Sequence, residues 1–223
     1  MSKESISIKS HKGEYCVNFC TDGAEHLVRN LPDENYHIII DRRVANLYKD
    51  DLKLILMHES VLQIDALESN KSLELMPIYV NHLVSKQIRR GDILIAIGGG
   101  IIQDITCFLS ATILRGVDWY FYPTTLLSQA DSCIGSKSSI NCADSKNLLG
   151  TFTPPRKVII GGDFLKTLKS REIHSGIGEM LKVHAISGKE DFDKISKNYS
   201  DLFINSVVMQ TFIRNSLNIK KDY

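Results

Sequence analysis

The sequence predicts an α/β protein in which a doubly wound parallel sheet, over residues 1–169, precedes the start of an all-helical domain, over residues 170–223. Short apolar runs rich in β-branched residues, as at residues 36–40 and 93–97, alternate with segments of helical periodicity. That alternation is typical of a parallel sheet covered by helices on both faces. From residue 170 onward, apolar residues recur at helical spacing with little strand signal, which predicts the second part.

The elements follow one another in the order expected for such a sheet. A β-hairpin is predicted over residues 5–8 and 14–19, and a first helix over residues 24–30. Further strands are predicted at residues 36–40, 61–66, 93–97 and 119–122. Helices are predicted at residues 42–56, in a segment ending near Arg90, from Ile101 onward, and over residues 173–186 with Ser170 as N-cap.

The composition excludes several classes of function. The chain has 223 residues, is 43% hydrophobic and 24% charged, and carries a net charge of +1, so neither nucleic acid nor a membrane surface is expected as a partner. No apolar run approaches the length of a membrane span, and the polar start MSKESISIKS gives no export signal. Five scattered cysteines without a CxxC pair fit reduced thiols, so we expect a cytoplasmic protein.

A glycine triplet follows the most apolar predicted strand. Gly98, Gly99 and Gly100 lead directly into a helix, and glycines let a backbone turn sharply and approach a bulky ligand. The N-terminus of a helix at such a turn presents N–H groups and a positive dipole end to a phosphate. A tight turn that only packs strand against helix is the alternative interpretation.

Polar residues accumulate beyond this turn and at another predicted strand end. Thr124 and Thr125 end a strand, and a loop region with charges interleaved among leucines and isoleucines follows: Asp131, Lys137, Asn141, Lys146 and Asn147. Because charges are costly to bury without a polar partner, we expect these side chains to line a cleft rather than a solvated face. Asp41, at the end of an earlier strand, can accept hydrogen bonds from a ribose or cap the next helix.

Two charged residues on the later helix have helical spacing. Glu179 and Lys182 are three positions apart and therefore share one helix face. A surface ion pair is the ordinary interpretation of this pattern.

In combination, these motifs resemble the 3-dehydroquinate synthase family and its wider superfamily of sugar-phosphate cyclases. The resemblance extends from about residue 36 to the end and is carried by GGGIIQD, LRG, PTTLLSQADSCIGSK, INCADSKNLLGTF, DFLKTL and REIHSGIGEMLK. It implies a Rossmann-like NAD-binding domain, a helical domain, a divalent metal, usually zinc, between them, and a homodimer. It also implies a phosphate-eliminating lyase that converts 3-deoxy-D-arabino-heptulosonate 7-phosphate to 3-dehydroquinate through transient oxidation by NAD.

The resemblance implies roles for individual residues. It assigns the following to NAD binding: Asp41, Glu68, Lys71, Gly99, Gly100, Asp104, Thr124, Thr125, Lys146, Phe164 and Thr167. It assigns the following to substrate binding and catalysis: Asp131, Lys137, Asn147, Lys182 and Lys220, with Arg115 reaching the substrate phosphate of a neighbouring subunit. Glu179 would be the metal-binding carboxylate.

Several features depart from the family pattern. Gln103 and Ser136 stand where glycine is common, so their side chains are expected to narrow the cofactor or substrate pocket, and Arg43 stands near the ribose where a small polar residue is typical. The family's two histidine ligands follow the position of Lys220, and the sequence ends at Tyr223. We therefore expect a truncated chain that is inactive on its own, because catalytic zinc takes about three protein ligands.

Three other functions remain compatible with parts of the sequence. One is a cyclitol-forming cyclase acting on sedoheptulose 7-phosphate or glucose 6-phosphate. Another is a non-catalytic NAD-binding or dimerisation module. The third is a metal-dependent alcohol dehydrogenase, although simple alcohol oxidation does not need the lysine-bearing loop INCADSKNLLG.

Overall fold

The computed structural model describes residues 5–222 and is built around one large sheet. Its strands are Ser5–Ser10 (β1), Gly13–Cys20 (β2), Tyr36–Asp41 (β3), Val61–Ile64 (β4), Ile93–Gly98 (β5), Asp118–Pro123 (β6) and Lys157–Gly161 (β9). They lie in the order β1-β2-β9-β6-β5-β3-β4. The β1–β2 hairpin is antiparallel, and the other neighbouring pairs are parallel. Strands Ile140–Cys142 (β7) and Ser145–Leu149 (β8) form a separate hairpin.

Helices cover both faces of this sheet. One face packs against Gly23–Arg29 (α1), Arg42–Leu47 (α2), Lys53–Leu56 (α3) and the 3-10 helix Asp163–Thr167. The other packs against Met76–Ser85 (α4), Gly100–Thr112 (α5), Ser170–Ser187 (α6) and Ser206–Lys221 (α9), with Lys189–Lys197 (α7) and Asp201–Ile204 (α8) attached. The predicted doubly wound architecture is confirmed.

Side-chain alternation along the strands explains why two cores form. Ile38 and Ile40 pack into the core on the sheet face covered by α1, whereas Ile39 between them packs into the core on the face covered by α5. Every residue of β5 is buried, as expected for a central strand with helices on both sides. Because burying one such aliphatic side chain contributes about 1.5–3 kcal/mol, this run of the chain is the main anchor of the sheet.

The prediction of one continuous helix over residues 42–56 is wrong, because the structure has two short helices there, α2 and α3. The chain leaves α2 at Tyr48, whose hydroxyl donates a hydrogen bond to the Asp163 carbonyl at 2.9 Å, and re-enters a helix only at α3. Asp50 and Asp51 lie in the intervening turn, and aspartate favours turns and caps over helix interiors.

Three other boundaries also differ from the prediction. Helix α4 ends at Ser85 rather than near Arg90, because Gln87 adopts a left-handed φ of 57° and the Ile88 N–H bonds back to the Leu83 carbonyl at 3.1 Å. Strand β4 ends at Ile64, two residues early. The N-cap of α6 is Lys169, whose N–H donates to the Glu172 carboxylate at 2.7 Å, so Ser170 is already helical.

The elements that were not predicted include strand β9, the β7–β8 hairpin and a π-helix over Ser128–Ser132. Strand β9 completes the sheet between β2 and β6. The π-helix and the hairpin occupy the polar loop region that follows the glycine triplet, and both position candidate site residues.

Between Leu168 and residue 222 the described chain forms four helices, α6 to α9, joined by short connections. Its apolar residues Ile177, Met180, Phe212 and Ile213 belong to the same core as α5. The domain boundary at residue 170 stays a prediction. Among the described residues, none of the helices has the length and apolar character to cross a membrane.

Candidate cofactor and substrate site

The strand order creates a crevice between the carboxyl ends of β3 and β5. From β3 the chain passes to β4 on one side of it, and then to β5 on the other. In open α/β sheets, ligands bind where the order reverses in this way. Asp41 ends β3 and Gly98 ends β5, so the predicted ribose-binding residue and the glycine turn meet at this position.

Glycine stands at these three positions for different structural reasons. A Cβ at Gly98 would lie 2.5 Å from the Ile102 side chain, and one at Gly99 would lie 2.8 Å from the Thr125 methyl carbon, so packing requires both glycines. A Cβ at Gly100 would meet no atom within 4 Å. The space beside Gly100, in the first turn of α5, is therefore empty. Gly99 is the N-cap of this helix and provides no side-chain hydrogen bond to its N–H groups. These features fit the approach of a dinucleotide phosphate.

The two threonines at the end of β6 border this turn. The Thr124 N–H donates to the Gly98 carbonyl at 2.9 Å, and Thr124 is buried. The hydroxyls of Thr125 and Ser128 lie 2.7 Å apart. Thr125 thus joins the glycine turn to the π-helix that follows.

Lys71 is the centre of a buried polar network beside α5. Its Nζ donates to Asp104 Oδ2 at 3.0 Å and to Asn147 Oδ1 at 2.9 Å, and lies 3.5 Å from Glu68 Oε1. Only 7% of the Lys71 side chain is exposed. Three predicted site residues, the nearby Glu68 and the distant Asp104 and Asn147, therefore converge on one ammonium group.

Two further residues complete the network: Asn141, which was expected to line a cleft, and Ser139, which was not predicted. Asn141 Nδ2 donates to Glu68 Oε1 at 2.9 Å, and its Oδ1 accepts the Asn147 N–H at 2.8 Å. Asp104 accepts two hydrogen bonds from Ser139, from N–H at 3.0 Å and from Oγ at 3.1 Å. The β7–β8 hairpin bears Asn141, and Asn147 has a left-handed φ of 54°, a conformation that asparagine tolerates.

The carboxylates of this network respond to their surroundings in opposite directions. Burial raises the pKa of Asp104 above its ordinary value, and the hydrogen bonds from Lys71 and Ser139 only partly offset it. The pKa of Glu68 is lowered, first by the hydrogen bond from Asn141 and then by Lys71. Lys146, whose side chain is exposed, adds to this lowering, so it lies close enough to Glu68 to interact with it.

Asp41 lies in a narrow pocket at the end of β3. Its Oδ1 accepts a hydrogen bond from the Arg43 N–H at 2.9 Å, so this oxygen caps helix α2. No hydrogen bond to its Oδ2 is found within residues 5–222. Burial raises the pKa of Asp41. The pocket is also lined by four predicted cofactor residues, Thr124, Thr125, Phe164 and Thr167, and by Arg43 and Glu172.

Tyr48 contacts Phe164 and Thr167, which the resemblance assigns to NAD binding. Its hydroxyl lies 3.1 Å from Thr167 Oγ1, and its ring meets the Phe164 ring edge-on at 5.2 Å. Phe164 is fully buried. Tyr48 has no recognisable signal in the sequence, because its partners lie more than a hundred positions away.

The substrate-side residues form a second cluster, on the π-helix, α6 and α9. Lys220 Nζ donates to the carbonyl and to Oδ1 of Asp131, at 2.8 and 2.7 Å. Lys182 forms an ion pair with Glu179 on α6. The pKa of Lys182 is raised, first by that hydrogen bond and further by the charge of Asp131, so the four groups share one electrostatic environment.

Gln103 and Ser136 do not behave alike. The Gln103 amide is buried and bonds to Ser132, donating to its carbonyl and accepting from its hydroxyl at 2.6 Å. It therefore braces the π-helix bearing Asp131, and the expectation that its side chain narrows a pocket is wrong. Ser136 has a left-handed φ of 65°, which favours glycine, and lines a pocket beside Lys220.

Two predicted residues remain outside both clusters. Lys137 is exposed and pairs through its backbone with Phe152. Arg115 lies in an exposed loop with a left-handed φ of 66°, next to Gly116. Their predicted roles have no supporting side-chain contact in the chain as described.

A metal site is not complete in the described part of the chain. No group of three or more His, Cys, Asp or Glu side chains is arranged to hold an ion within residues 5–222. Glu179, with 20% of its side chain exposed, is paired with Lys182. The residues present therefore do not by themselves fit a catalytic zinc, which takes about three protein ligands.

Comparison with known proteins identifies the family. Residues 61–175 match the family model described as 3-dehydroquinate synthase N-terminal, which covers more than half of the chain. The chain belongs to the 3-dehydroquinate synthase family. The matched segment contains the glycine turn, the Lys71 network and the π-helix.

Curated members of the 3-dehydroquinate synthase family align with nearly the whole chain. The enzymes of Bartonella tribocorum and Enterococcus faecalis are 32% and 37% identical over 99% of this chain. That of Pelagibacter ubique is 40% identical over 82% of this chain. The chain spans 62%, 63% and 51% of the length of these relatives, respectively.

Solved structures of related cyclases have the same fold. ValA, the 2-epi-5-epi-valiolone synthase of Streptomyces hygroscopicus subsp. jinggangensis, with NAD+ and Zn2+ bound, matches with a TM-score of 0.82 and 28% identity, over 93% of this chain and 60% of that chain. A 2-deoxy-scyllo-inosose synthase complexed with carbaglucose-6-phosphate, NAD+ and Co2+ matches with a TM-score of 0.80 and 20% identity, over 98% of this chain and 63% of that chain. At this lower identity the second match supports the fold alone.

Proposed function

We propose that this chain supplies the NAD-binding part and the first substrate-binding helices of a 3-dehydroquinate synthase. The reaction would convert 3-deoxy-D-arabino-heptulosonate 7-phosphate to 3-dehydroquinate with release of phosphate. The observation that carries this proposal is the convergence of Glu68, Asp104 and Asn147 on the buried Nζ of Lys71, at the edge of the crevice that opens at Gly100. Such a network fixes polar groups around a ligand before the ligand arrives.

The cofactor-binding role rests on the fit of the crevice to a dinucleotide. Gly100 and the uncapped first turn of α5 would receive the pyrophosphate, and Asp41 Oδ2 would accept hydrogen bonds from the ribose. Thr124, Thr125, Phe164 and Thr167 line the pocket beside Asp41. NAD bound there would supply a reversible hydride acceptor, and ValA, 28% identical, is a protein that holds NAD+.

The substrate-binding role rests on the second cluster. Lys220, held by two contacts to Asp131, and Lys182, held by Glu179, would present cations to the carboxylate, hydroxyl and phosphate oxygens of the substrate. In a cleft from which water is excluded, each such contact stabilises a developing oxyanion more strongly than it would in water. Asn147 would contribute its amide from the Lys71 network.

Metal dependence, dimerisation and cellular location complete the proposal. Glu179 would be one ligand of a divalent metal, as the Zn2+ bound in ValA suggests. The described residues do not by themselves complete the site of such an ion. Arg115 would act in a homodimer by reaching the partner's substrate phosphate, and the protein would be cytoplasmic.

Two measurements test the proposal. Isothermal titration calorimetry of the 223-residue chain with NAD should show one site, because the crevice residues are all present. Phosphate release from the seven-carbon keto-acid phosphate should be assayed with NAD and zinc, on this chain and on the longest natural form of the protein. Turnover by the longer form alone is the expected result. NAD binding without turnover by any form would instead support a non-catalytic NAD-binding module.

A cyclitol-forming cyclase is the second candidate. It is favoured by the match to ValA, with a TM-score of 0.82 at 28% identity, and by Ser136 in a backbone conformation that favours glycine. A substrate panel containing sedoheptulose 7-phosphate and glucose 6-phosphate separates it from the main proposal. Turnover of either sugar phosphate, with none of the keto-acid phosphate, would establish the second candidate.

A further inference from the structure

The ribose end of the crevice carries both a carboxylate and two guanidinium groups. Strand β3 ends in Asp41, and Arg42 and Arg43 follow directly. An acidic residue at this position accepts hydrogen bonds from the ribose 2′-hydroxyl of NAD, whereas a nearby arginine accommodates the 2′-phosphate of NADP. The order of residues alone therefore permits either dinucleotide.

The structure shows that both guanidinium groups already have carboxylate partners. Arg42 Nε donates to Asp65 Oδ1 at 3.1 Å, beyond the end of β4. Arg43 donates from two nitrogens to the two oxygens of Glu172, at 2.7 and 3.2 Å. Such a two-point contact fixes the direction of the guanidinium plane as well as its charge.

Glu172 is itself fixed in place. It lies in the first turn of α6, and its Oε2 also accepts the Lys169 N–H at 2.7 Å as part of a capping box. Only 32% of its side chain is exposed, against 55% for Asp65. The Arg43–Glu172 pair therefore crosses the crevice from α2 to α6 through side chains that are held at both ends.

We propose that Glu172 selects NAD over NADP by holding the Arg43 guanidinium away from the position of a 2′-phosphate. This inference rests on the proposed NAD-binding function. Three carboxylates, Asp41, Asp65 and Glu172, lie in this region and would repel a phosphate dianion, while both guanidinium groups are already engaged by Asp65 and Glu172. The 2′-hydroxyl of NAD meets no such repulsion, and Asp41 Oδ2 is available to accept its hydrogen bond.

The experiment compares dinucleotide affinities by calorimetry on the 223-residue chain. The wild type should bind NAD at least about tenfold more tightly than NADP, a difference of about 1.4 kcal/mol. Glu172→Gln removes the charge but keeps an oxygen for the Lys169 N–H, since glutamine also serves in a capping box. This variant should lower the ratio of the NADP to the NAD dissociation constant about fivefold or more, because Arg43 becomes available to the 2′-phosphate.

Two further variants show whether Arg43 is responsible. Asp65→Asn removes one negative charge from the exposed Arg42 pair and should change the ratio less than about twofold. Glu172→Gln combined with Arg43→Gln should return the ratio towards the wild-type value. Thermal unfolding of each variant checks that it is folded.

Each alternative outcome has a distinct meaning. Equal binding of NAD and NADP by the wild type overturns the selectivity while leaving the proposed function intact. Equal effects of Glu172→Gln and Asp65→Asn, or a gain that persists without Arg43, show that only overall charge matters and overturn the role of Glu172. Binding of neither dinucleotide overturns the proposed function and the selectivity together.

Discussion

Lys71 on the cofactor side of the candidate site and Lys182 on its substrate side differ in burial and in the number of their partners. Lys71 has 7% of its side chain exposed and meets the neighbouring Glu68 as well as Asp104 and Asn147 from distant segments. Lys182 has 60% of its side chain exposed, and its ion-pair partner, Glu179, lies one helical turn away. The first arrangement is fixed by the fold before a ligand binds, whereas the second leaves its cation largely hydrated and free to be redirected.

The largest difference between the two sides should appear when each lysine is replaced by methionine. Lys71→Met leaves Asp104 without its cation and should lower the free energy of unfolding by about 2–4 kcal/mol, because a mostly buried partner is stranded. Lys182→Met should cost less than about 0.5 kcal/mol, as expected for an exposed pair. Urea unfolding monitored by the fluorescence of Trp119 measures both values.

Similar losses from the two lysine variants would contradict this comparison. A matched check is Asn147→Ala, which removes one acceptor from Lys71 and should cost about 0.5–1.5 kcal/mol, the value of a single hydrogen bond. If Asn147→Ala costs more than Lys71→Met, the network is centred on the amide rather than on the ammonium group.

The next largest effect concerns the connection between the two sides. Gln103 on α5 bonds twice to Ser132 of the π-helix that bears Asp131. Gln103→Leu keeps the volume but leaves the partly buried Ser132 carbonyl and hydroxyl without their Gln103 partners, and should cost about 1–3 kcal/mol. Ser132→Ala removes only the hydroxyl and should cost less. Differential scanning calorimetry of both variants tests this order, and the reverse order would show that Gln103 does not brace the π-helix.

The sheet and its crevice were predictable because their signals are local. Fully apolar runs predicted the central strands, and Gly98–Gly100 marked the turn at which the crevice opens. The break between α2 and α3 was not predictable, because Tyr48 ends the helix through Asp163, whose position depends on the complete sheet. Strand β9 was missed although its residues, Val158 to Ile160, are apolar, since the run is short and lies just after two prolines.

The candidate site was predictable as a set of residues but not as a geometry. Family resemblance supplied Lys71, Asp104 and Asn147, whereas their common contact depends on segments up to 76 positions apart. Ser139 was not assigned to the site because polar residues in a serine-rich loop carry no individual signal, and Asn141 was expected to line a cleft without an individual role. Gln103 was expected at a pocket wall, and only the π-helix, which no sequence pattern indicated, explains its different direction.

Alanine substitutions in the glycine turn should separate the effect of packing on stability from the effect of ligand approach on NAD affinity. Gly100→Ala should leave stability unchanged or raised by about 0.5 kcal/mol, because alanine is the better helix former and a Cβ there meets no neighbour. It should weaken NAD binding about tenfold, since the methyl group occupies the space proposed for the pyrophosphate. Calorimetric titration with NAD and a thermal melt measure both quantities.

Gly99→Ala is the matched variant for that contrast. Its Cβ would lie 2.8 Å from the Thr125 methyl carbon, so it should destabilise the fold by about 1–3 kcal/mol through overpacking. Equal NAD affinity for Gly100→Ala and the wild type would place the pyrophosphate elsewhere.

The smallest effect is a difference in pH dependence between Glu172, at the start of α6, and Asp104, in the Lys71 network. Burial acts against ionisation of Glu172, but the hydrogen bonds from Arg43 and from the Lys169 N–H outweigh it, so the pKa of Glu172 lies below its ordinary 4.5. Its stabilisation is present above pH 4.5 and is lost as the pH falls through the lowered pKa. Because both partners are substantially exposed, the wild type should exceed Glu172→Gln by only about 0.5–1 kcal/mol at neutral pH.

The contribution of Asp104 to stability should change with pH in the opposite direction. Burial holds its pKa above the ordinary 3.8, so its contribution relative to Asp104→Asn is greatest below that value and declines as the pH rises through the raised pKa. Urea unfolding of the wild type and both variants between about pH 3 and pH 7 should therefore give two difference curves of opposite slope. Parallel curves would mean that the hydrogen bonds from Lys71 and Ser139 outweigh the burial of Asp104 and lower its pKa, as those from Arg43 and Lys169 do for Glu172.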